Sequence, residues 1–180
     1  MSDEACERGR RLVPAPSSLD RDAFIGRFGG IYEHSPWVAE TVFEAGVGAA
    51  EDEVEGLAAR MAAVVEAGGA ERQLALLEAH PELAGRLAVA GRLTADSTSE
   101  QASAGLDRCS PEEFRRFSEL NAAYGARFGF PFIIAVRGLS RADILAAFER
   151  RVGNDRASEL RTALDQVHRI ARLRLEAMAG

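Results

Sequence analysis

Apolar residues recur along most of the chain at every third or fourth position, the spacing that places them on one face of a helix. Short groups of glycine, proline and serine interrupt this pattern and mark helix ends. They predict helices over residues 19–28, 36–45, 51–67, 70–79, 97–107, 110–128, 140–151 and 154–178. The sequence therefore predicts an all-α fold, a single-domain bundle of about seven or eight helices.

Three serines, each followed three positions later by an acidic residue, give the clearest helix starts. In this capping-box arrangement the serine and the acid each accept a hydrogen bond from a backbone N–H at the helix N-terminus. We expect each serine to be the N-cap of its helix, and Pro111 to be the first residue of the second one. The three pairs are Ser97 with Glu100, Ser110 with Glu113, and Ser140 with Asp143.

The first 17 residues have a different composition from the rest, because they are charged, contain proline and have no apolar core. We expect residues 1–17 to form a disordered tail and residues 18–180 to form the helical domain. The tail resembles neither a signal peptide nor an anchor, and the longest apolar stretch is too short to cross a bilayer. A cytoplasmic location without membrane association is expected.

Residues 129–136 break the helical pattern. Their sequence, GFPFIIAV, contains a proline, two aromatic residues and β-branched residues, which favour extended chain. An extended segment near residues 130–136 has no sheet to pair with in an all-α domain, so its buried backbone groups need other partners. A ligand rich in amide groups is one such partner.

Composition excludes several kinds of chemistry. All 22 basic residues are arginine, so no lysine can form a Schiff base, hold pyridoxal phosphate or serve in a P-loop. The net charge of −6 argues against nucleic acid and membrane surfaces as partners. Cys6 and Cys109 lack the spacing of a zinc site or a disulfide framework, so no metal is expected.

His80 and Pro81 form the first candidate site. The proline should end the helix before it and begin another at position 81, with His80 as its N-cap. A helix N-terminus favours the neutral imidazole, which can both accept and donate a proton near pH 7. The structural alternative is a histidine at a helix junction that bonds to a backbone carbonyl.

Ser97, Glu100 and Gln101 form the second candidate site, since their spacing places a hydroxyl, a carboxylate and a carboxamide on one helix face. The alternative is that Ser97 and Glu100 only cap the helix. The third candidate is the extended segment with Arg137 directly after it, together with Arg174 beside an apolar face. Arginine can bind a carboxylate with two hydrogen bonds, although a surface role is an alternative for either residue.

Four motifs stand in order along the chain: FGGIYEHSPWVAE (28–40), AHPELAGRLA (79–88), STSEQASAGL (97–106) and LNAAYGARFGFPFIIAVRG (120–138). Together they resemble the decarboxylases of 2-oxo-4-hydroxy-4-carboxy-5-ureidoimidazoline (OHCU). The resemblance runs from about residue 18 to residue 175, with Glu82 where the family often has aspartate. It implies a cofactor-free, all-α homodimer that completes the conversion of urate to (S)-allantoin.

Through this resemblance, His80 matches the catalytic histidine and Glu100 the carboxylate that positions the small-molecule substrate. The other matching positions are implied to contact the substrate, with main-chain groups of the extended segment meeting its amides. These positions are Pro81, Ser97, Gln101, Phe132, Ile133, Ile134, Ala135, Val136 and Arg174. The alternative function is a non-catalytic helical module that binds a small ureide or a protein partner.

Overall fold

The computed structural model describes residues 9–84 and 93–180, which form eight α-helices. These residues contain no β-sheet, only two isolated backbone bridges, so the all-α prediction is confirmed. The helices are α1 (Arg21–Phe28), α2 (Trp37–Glu44), α3 (Val54–Ala67), α4 (Gly69–Glu78), α5 (Ala95–Ser103), α6 (Pro111–Phe128), α7 (Arg141–Arg151) and α8 (Arg156–Met178). Three short 3-10 helices are also present, Pro16–Ser18, Ala49–Asp52 and Leu106–Arg108.

The chain divides into two compact units. The first contains the described residues of Met1–Gly69 together with Ile170–Gly180, and the second contains those of Ala70–Arg169. Helix α8 therefore contributes its first part to the second unit and its last part to the first. Each candidate site residue from His80 to Val136 belongs to the second unit.

Residues 9–17 are packed, so the prediction of a disordered tail is wrong for this part of the chain. Leu12 is only 2% exposed, and its N–H donates to the Asp52 carbonyl at 2.9 Å. The N–H and the hydroxyl of Ser17 each donate to the Asp52 carboxylate at 2.9 Å. The prediction relied on composition, which does not reveal long-range hydrogen bonds. Here such bonds hold a segment that has few apolar residues. Residues 1–8 of the predicted tail lie outside the described residues.

The first unit has an aromatic and aliphatic core. The ring of Phe24 lies 4.9 Å from that of Phe28 and 5.4 Å from that of Phe43, measured between centroids. Phe24 and Phe28 lie on α1 and Phe43 on α2, so these two helices pack through their aromatic faces. Helix α3 adds a stripe of fully buried side chains at helical spacing. This stripe consists of Val54, Leu57, Met61 and Val65.

The core of the second unit is built around Tyr124 of α6. Its ring lies between 4.6 and 5.9 Å from the rings of four phenylalanines, most of them in edge-to-face geometry that aromatic pairs favour. Helix α6 ends at Phe128, and its C-cap Gly129 has a φ of +83°, which ends the helix. Residues 129–136, the predicted extended segment, contain no helix and pair in no strand. The four phenylalanines are Phe128, Phe130, Phe132 and Phe148.

Two of the three predicted capping boxes are confirmed, at Ser110 before α6 and at Ser140 before α7. The third is wrong. Helix α5 begins at Ala95, and its N-cap is Thr94, whose hydroxyl accepts a hydrogen bond from the Ser97 N–H at 3.3 Å. Thr94 offers the same kind of cap three residues earlier, which moves the helix start upstream of the predicted one.

The helix predicted to start at Pro81 is also wrong over the residues that are described. Residues 81–84 contain no helix. Leu83 and Ala84 lie in a turn, and Ala84 has a φ of +48°, which is incompatible with an α-helix. His80 is therefore not the N-cap of a helix that begins at Pro81. The remaining predicted residues, 85–90, lie outside the described residues.

We expect Ser110→Ala to lower the free energy of unfolding by about 1 kcal/mol, because the Glu113 N–H at the start of α6 loses its cap. Ser118→Ala on the same helix is the matched control. Its exposed hydroxyl bonds only the Phe114 carbonyl one turn earlier, a bond that adds little to helix stability. Urea unfolding measures both values, and equal losses for the two variants would contradict the capping assignment.

Candidate active site

His80 lies two residues after the end of α4 and is 8% exposed. Its backbone N–H donates to the Leu77 carbonyl at 3.2 Å, and its ring Nδ1 lies 2.8 Å from the Leu76 carbonyl oxygen. A carbonyl only accepts, so Nδ1 carries the proton in this bond. In the neutral ring Nε2 is then the nitrogen that can accept a proton. The bond to a backbone carbonyl, considered as the structural alternative, therefore exists and is made by Nδ1.

A cavity of about 390 Å³ has His80 and Pro81 in its wall. Phe130 and Pro131, at the beginning of the extended segment, line the same cavity. Two predicted candidate sites, far apart in sequence, therefore lie around one space in the second unit. The remaining lining residues are Glu78, Glu82, Gly125 and Gly129.

Two side-chain amides hold the turn that follows Pro81. Gln101 accepts a hydrogen bond from the Ala84 N–H at 3.1 Å, and its Nε2 donates to the Glu82 carbonyl at 3.4 Å. The Nδ2 of Asn121 on α6 donates to the Leu83 carbonyl at 3.0 Å. Gln101 thus lies beside the histidine turn as predicted, and both ends of its carboxamide bind main chain. A substrate contact by Gln101 stays a prediction.

Ser97 and Glu100 lie on α5, the helix that carries Gln101. Ser97 is buried and Glu100 is partly buried. Because Thr94 is the N-cap, Ser97 is the third residue of the helix and Glu100 is the sixth, which is too far along to close a capping box. The capping alternative therefore does not account for Glu100, and its role toward the substrate stays a prediction.

The extended segment obtains backbone partners from side chains. Gln166 of α8 accepts a hydrogen bond from the Ala135 N–H at 3.0 Å, and Arg151 donates to the Ile133 carbonyl at 2.8 Å. At least these two groups, which we expected a ligand to satisfy, are satisfied within the protein. The side chains of Phe132, Ile133, Ala135 and Val136 are buried and that of Ile134 is partly buried. A ligand contact by this segment would consequently be made through its main chain.

A buried ion pair anchors this segment, and sequence analysis missed it. Glu159 is fully buried and receives hydrogen bonds from Arg151 Nε at 2.8 Å, from Asn154 at 2.8 Å and from the Tyr124 hydroxyl. The Arg151 guanidinium also lies 4.4 Å from the centre of the Phe132 ring. Burial and the neighbouring Glu159 carboxylate raise the pKa of Tyr124, which keeps its hydroxyl a donor.

The signal for this network was weak in the sequence. Arg151 ends the predicted helix 140–151, and Glu159 lies near the start of the predicted helix 154–178. The two residues therefore do not share a helix face. Only the tertiary fold brings both beside Tyr124. Glu159, which follows Ser158 in a predicted helix start, has the pattern of an ordinary exposed N-terminal acid.

The two candidate arginines have different surroundings. Arg174 belongs to the first unit, is 7% exposed, and pairs with the buried Glu33 at 2.8 Å. Its Nη1 also donates to the carbonyls of Gly30 and Ile31 at 3.3 and 3.4 Å. The alternative of a surface role is therefore wrong for Arg174. Arg137 is exposed. Contacts of either residue with a substrate stay predictions.

Residues 9–84 and 93–180 lack two features. Histidine, cysteine, aspartate and glutamate do not gather there in any group of three that could hold a metal ion. None of the helices in this part of the chain has the length and apolar character needed to cross a membrane.

Fold and site together define an all-α protein with a histidine-lined cavity beside an extended segment. The chain belongs to the OHCU decarboxylase family, whose model matches residues 17–176. It is 47% identical to the OHCU decarboxylase of Haloferax volcanii, covering 87% of this chain and 89% of that protein. The enzyme of that name from Halalkalicoccus jeotgali is 41% identical, with coverage of 93% and 91%.

A solved structure supports the same relationship. A crystal structure of (S)-allantoin synthase superposes with a TM-score of 0.71 at 33% identity. The match covers 91% of this chain and 52% of that one, so the present chain spans about half the length of that protein.

We expect Glu159→Gln to lower the free energy of unfolding by about 3–5 kcal/mol, since it leaves the Arg151 charge buried without its carboxylate. The matched control is Glu149→Gln on α7. It breaks an ion pair with Arg116 in which both side chains are 48% exposed, and such pairs contribute at most about 1 kcal/mol. Chemical denaturation gives both values, and a loss at Glu159 no larger than at Glu149 would refute the anchoring role.

Proposed function

We propose that this protein is a carboxy-lyase that removes CO2 from OHCU and forms (S)-allantoin, the last step from urate. Membership of the OHCU decarboxylase family supports the reaction. The observation that carries the site is His80, whose Nδ1–H is engaged by the Leu76 carbonyl and which lines the cavity of about 390 Å³. This bond favours the Nδ1–H tautomer, in which Nε2 is the nitrogen that accepts a proton.

The substrate itself can accept the electrons of the broken bond. When the C–CO2 bond breaks, its electron pair passes into the adjacent imine of the ring. The ureido-bearing carbon is then protonated, and the hydroxyl loses its proton to become the carbonyl of allantoin. No amine of the protein is needed, which agrees with a chain that contains no lysine.

The protein then has to orient the substrate and manage its protons. We propose that His80 and Glu100 orient the hydroxyl and the ring of the substrate. They would hold it so that the C–CO2 bond lies perpendicular to the ring π system. In this orientation the breaking bond overlaps the imine, which lowers the barrier. Protonation from one face sets the S configuration. Pro81, Ser97 and the main chain of residues 132–136 complete the substrate contacts.

The remaining parts of the proposal concern assembly and location. The resemblance to the family implies a homodimer, and the pattern of the sequence predicts a cytoplasmic location. The proposed helical domain covers residues 18–180, and the matched range 17–176 supports it.

We expect His80→Ala to lower kcat/KM by about 10²- to 10⁴-fold, the range for loss of an acid–base group. Allantoin formed with this variant should be racemic, because OHCU also decays without enzyme. Circular dichroism after coupling to urate oxidase and hydroxyisourate hydrolase follows the enantiomeric excess. His168→Gln, which also removes one of the three histidines, is the control. Undiminished optical activity with His80→Ala would refute the assignment.

We expect Glu100→Gln to lower turnover by at least about 10²-fold without loss of stability, since Glu100 is not a capping residue. Asp96→Asn removes one negative charge from the first turn of the same helix and is the matched control. The coupled assay and thermal unfolding should be run on both variants. Full turnover in Glu100→Gln would exclude a catalytic role, and binding of allantoin without any turnover by the wild type would favour a binding module.

A further inference from the structure

The turn after Pro81 contains a residue in a strained backbone conformation. Ala84 has a φ of +48°, in the left-handed region that residues with a Cβ rarely occupy. Such a conformation persists only where surrounding groups hold it. Gln101 holds Ala84 directly, through its hydrogen bond from the Ala84 N–H, and Asn121 holds the carbonyl of the preceding Leu83.

The two amides that hold this turn are buried. Gln101 is 5% exposed and Asn121 is 6% exposed. Asn121 Oδ1 has no hydrogen-bond partner within the described residues, and a buried polar atom without a partner destabilises the folded state. A leucine of similar size would not carry this cost. The bond from Asn121 to the Leu83 carbonyl is therefore the only contribution of this amide that the structure reveals.

A displacement of the turn would change the position of His80, because only Pro81 and Glu82 separate them. Pro81 directly follows His80, and its ring fixes φ, so a displacement of Glu82 is transmitted to the peptide that follows His80. The hydrogen bond from His80 Nδ1 to the Leu76 carbonyl requires one orientation of the imidazole, so a displaced backbone would weaken this bond.

We propose that Asn121 and Gln101 are positioning residues that act on His80 through the turn at Leu83 and Ala84. This inference rests on the proposed function, in which His80 is catalytic. It gives Gln101 a second role beside the substrate contact implied by the family resemblance, because both ends of its carboxamide bind the turn. It also assigns a role to Asn121, which occurs in the LNAAYG sequence and had none.

The first test is Asn121→Leu, which preserves side-chain size and removes the donor to Leu83. We expect kcat to fall by about 10- to 100-fold, the effect of a small misplacement of a catalytic group, while KM changes less than about twofold. Leu120→Ala, a truncation of a buried neighbour on the same helix, is the control. It should lower the melting temperature more than Asn121→Leu and leave kcat unchanged below that temperature.

Two further variants separate positioning from general loss of structure. If both amides act through one turn, Gln101→Leu combined with Asn121→Leu should lower kcat little more than the stronger single change. Ala84→Gly should restore part of the kcat lost in Asn121→Leu, because glycine adopts a φ of +48° without strain. Additive losses without rescue by glycine would overturn the proposal.

Nitrogen NMR of 15N-histidine protein supplies a readout that does not need turnover. The wild type should show the Nδ1–H tautomer for His80, identified by the loss of its signals in His80→Ala. Asn121→Leu should shift these signals, and unchanged signals with unchanged kcat would reject the proposal. If Asn121→Leu does not fold, Asn121→Ala replaces it. A wild type that forms no chiral allantoin would overturn the proposed function, whereas the NMR result still decides whether the amides position His80.

Discussion

The second unit depends on one constraint, that extended chain inside an all-α protein must find hydrogen-bond partners without a sheet. Arg151 meets this constraint by donating to the Ile133 carbonyl while Glu159 neutralises its charge. Gln166 meets the constraint at Ala135, because its side-chain oxygen accepts a hydrogen bond from the Ala135 N–H. An arginine suits this position, because its several donors serve a carboxylate and a carbonyl together. The helices after the segment thus fix a backbone that has no regular structure of its own.

Sequence analysis succeeded where the determining interactions are local. Ser110 and Ser140 cap the predicted helices because the serine and its acid lie within one turn of each other. The same rule failed at Ser97, since the helix begins three residues upstream, where Thr94 caps the Ser97 N–H. The packed segment 9–17 was missed because bonds to residues more than 30 positions away hold it.

The candidate site shows the same division. His80 and the extended segment stood out because proline beside histidine, and β-branched residues among helices, are unusual in sequence; the cavity that joins them follows from the fold. Asn121 and Glu159 had no local signal. Asn121 donates to a carbonyl 38 residues away, and Glu159 accepts a hydrogen bond from the Tyr124 hydroxyl, 35 residues away. Groups that react can be predicted from residue type, whereas groups that orient them depend on tertiary contacts.

The absence of lysine gives these orienting groups their importance. A decarboxylase with an amine or an electron-accepting cofactor stabilises the carbanion by covalent chemistry. A chain without lysine that acts on a substrate with its own imine has to lower the barrier mainly through orientation. In the proposed mechanism, the tautomer of His80, fixed by the Leu76 carbonyl, and the backbone at Ile133, held by Arg151, set the orientation of the substrate. Buried polar bonds of this kind would then serve the proposed reaction through geometry as well as through stability.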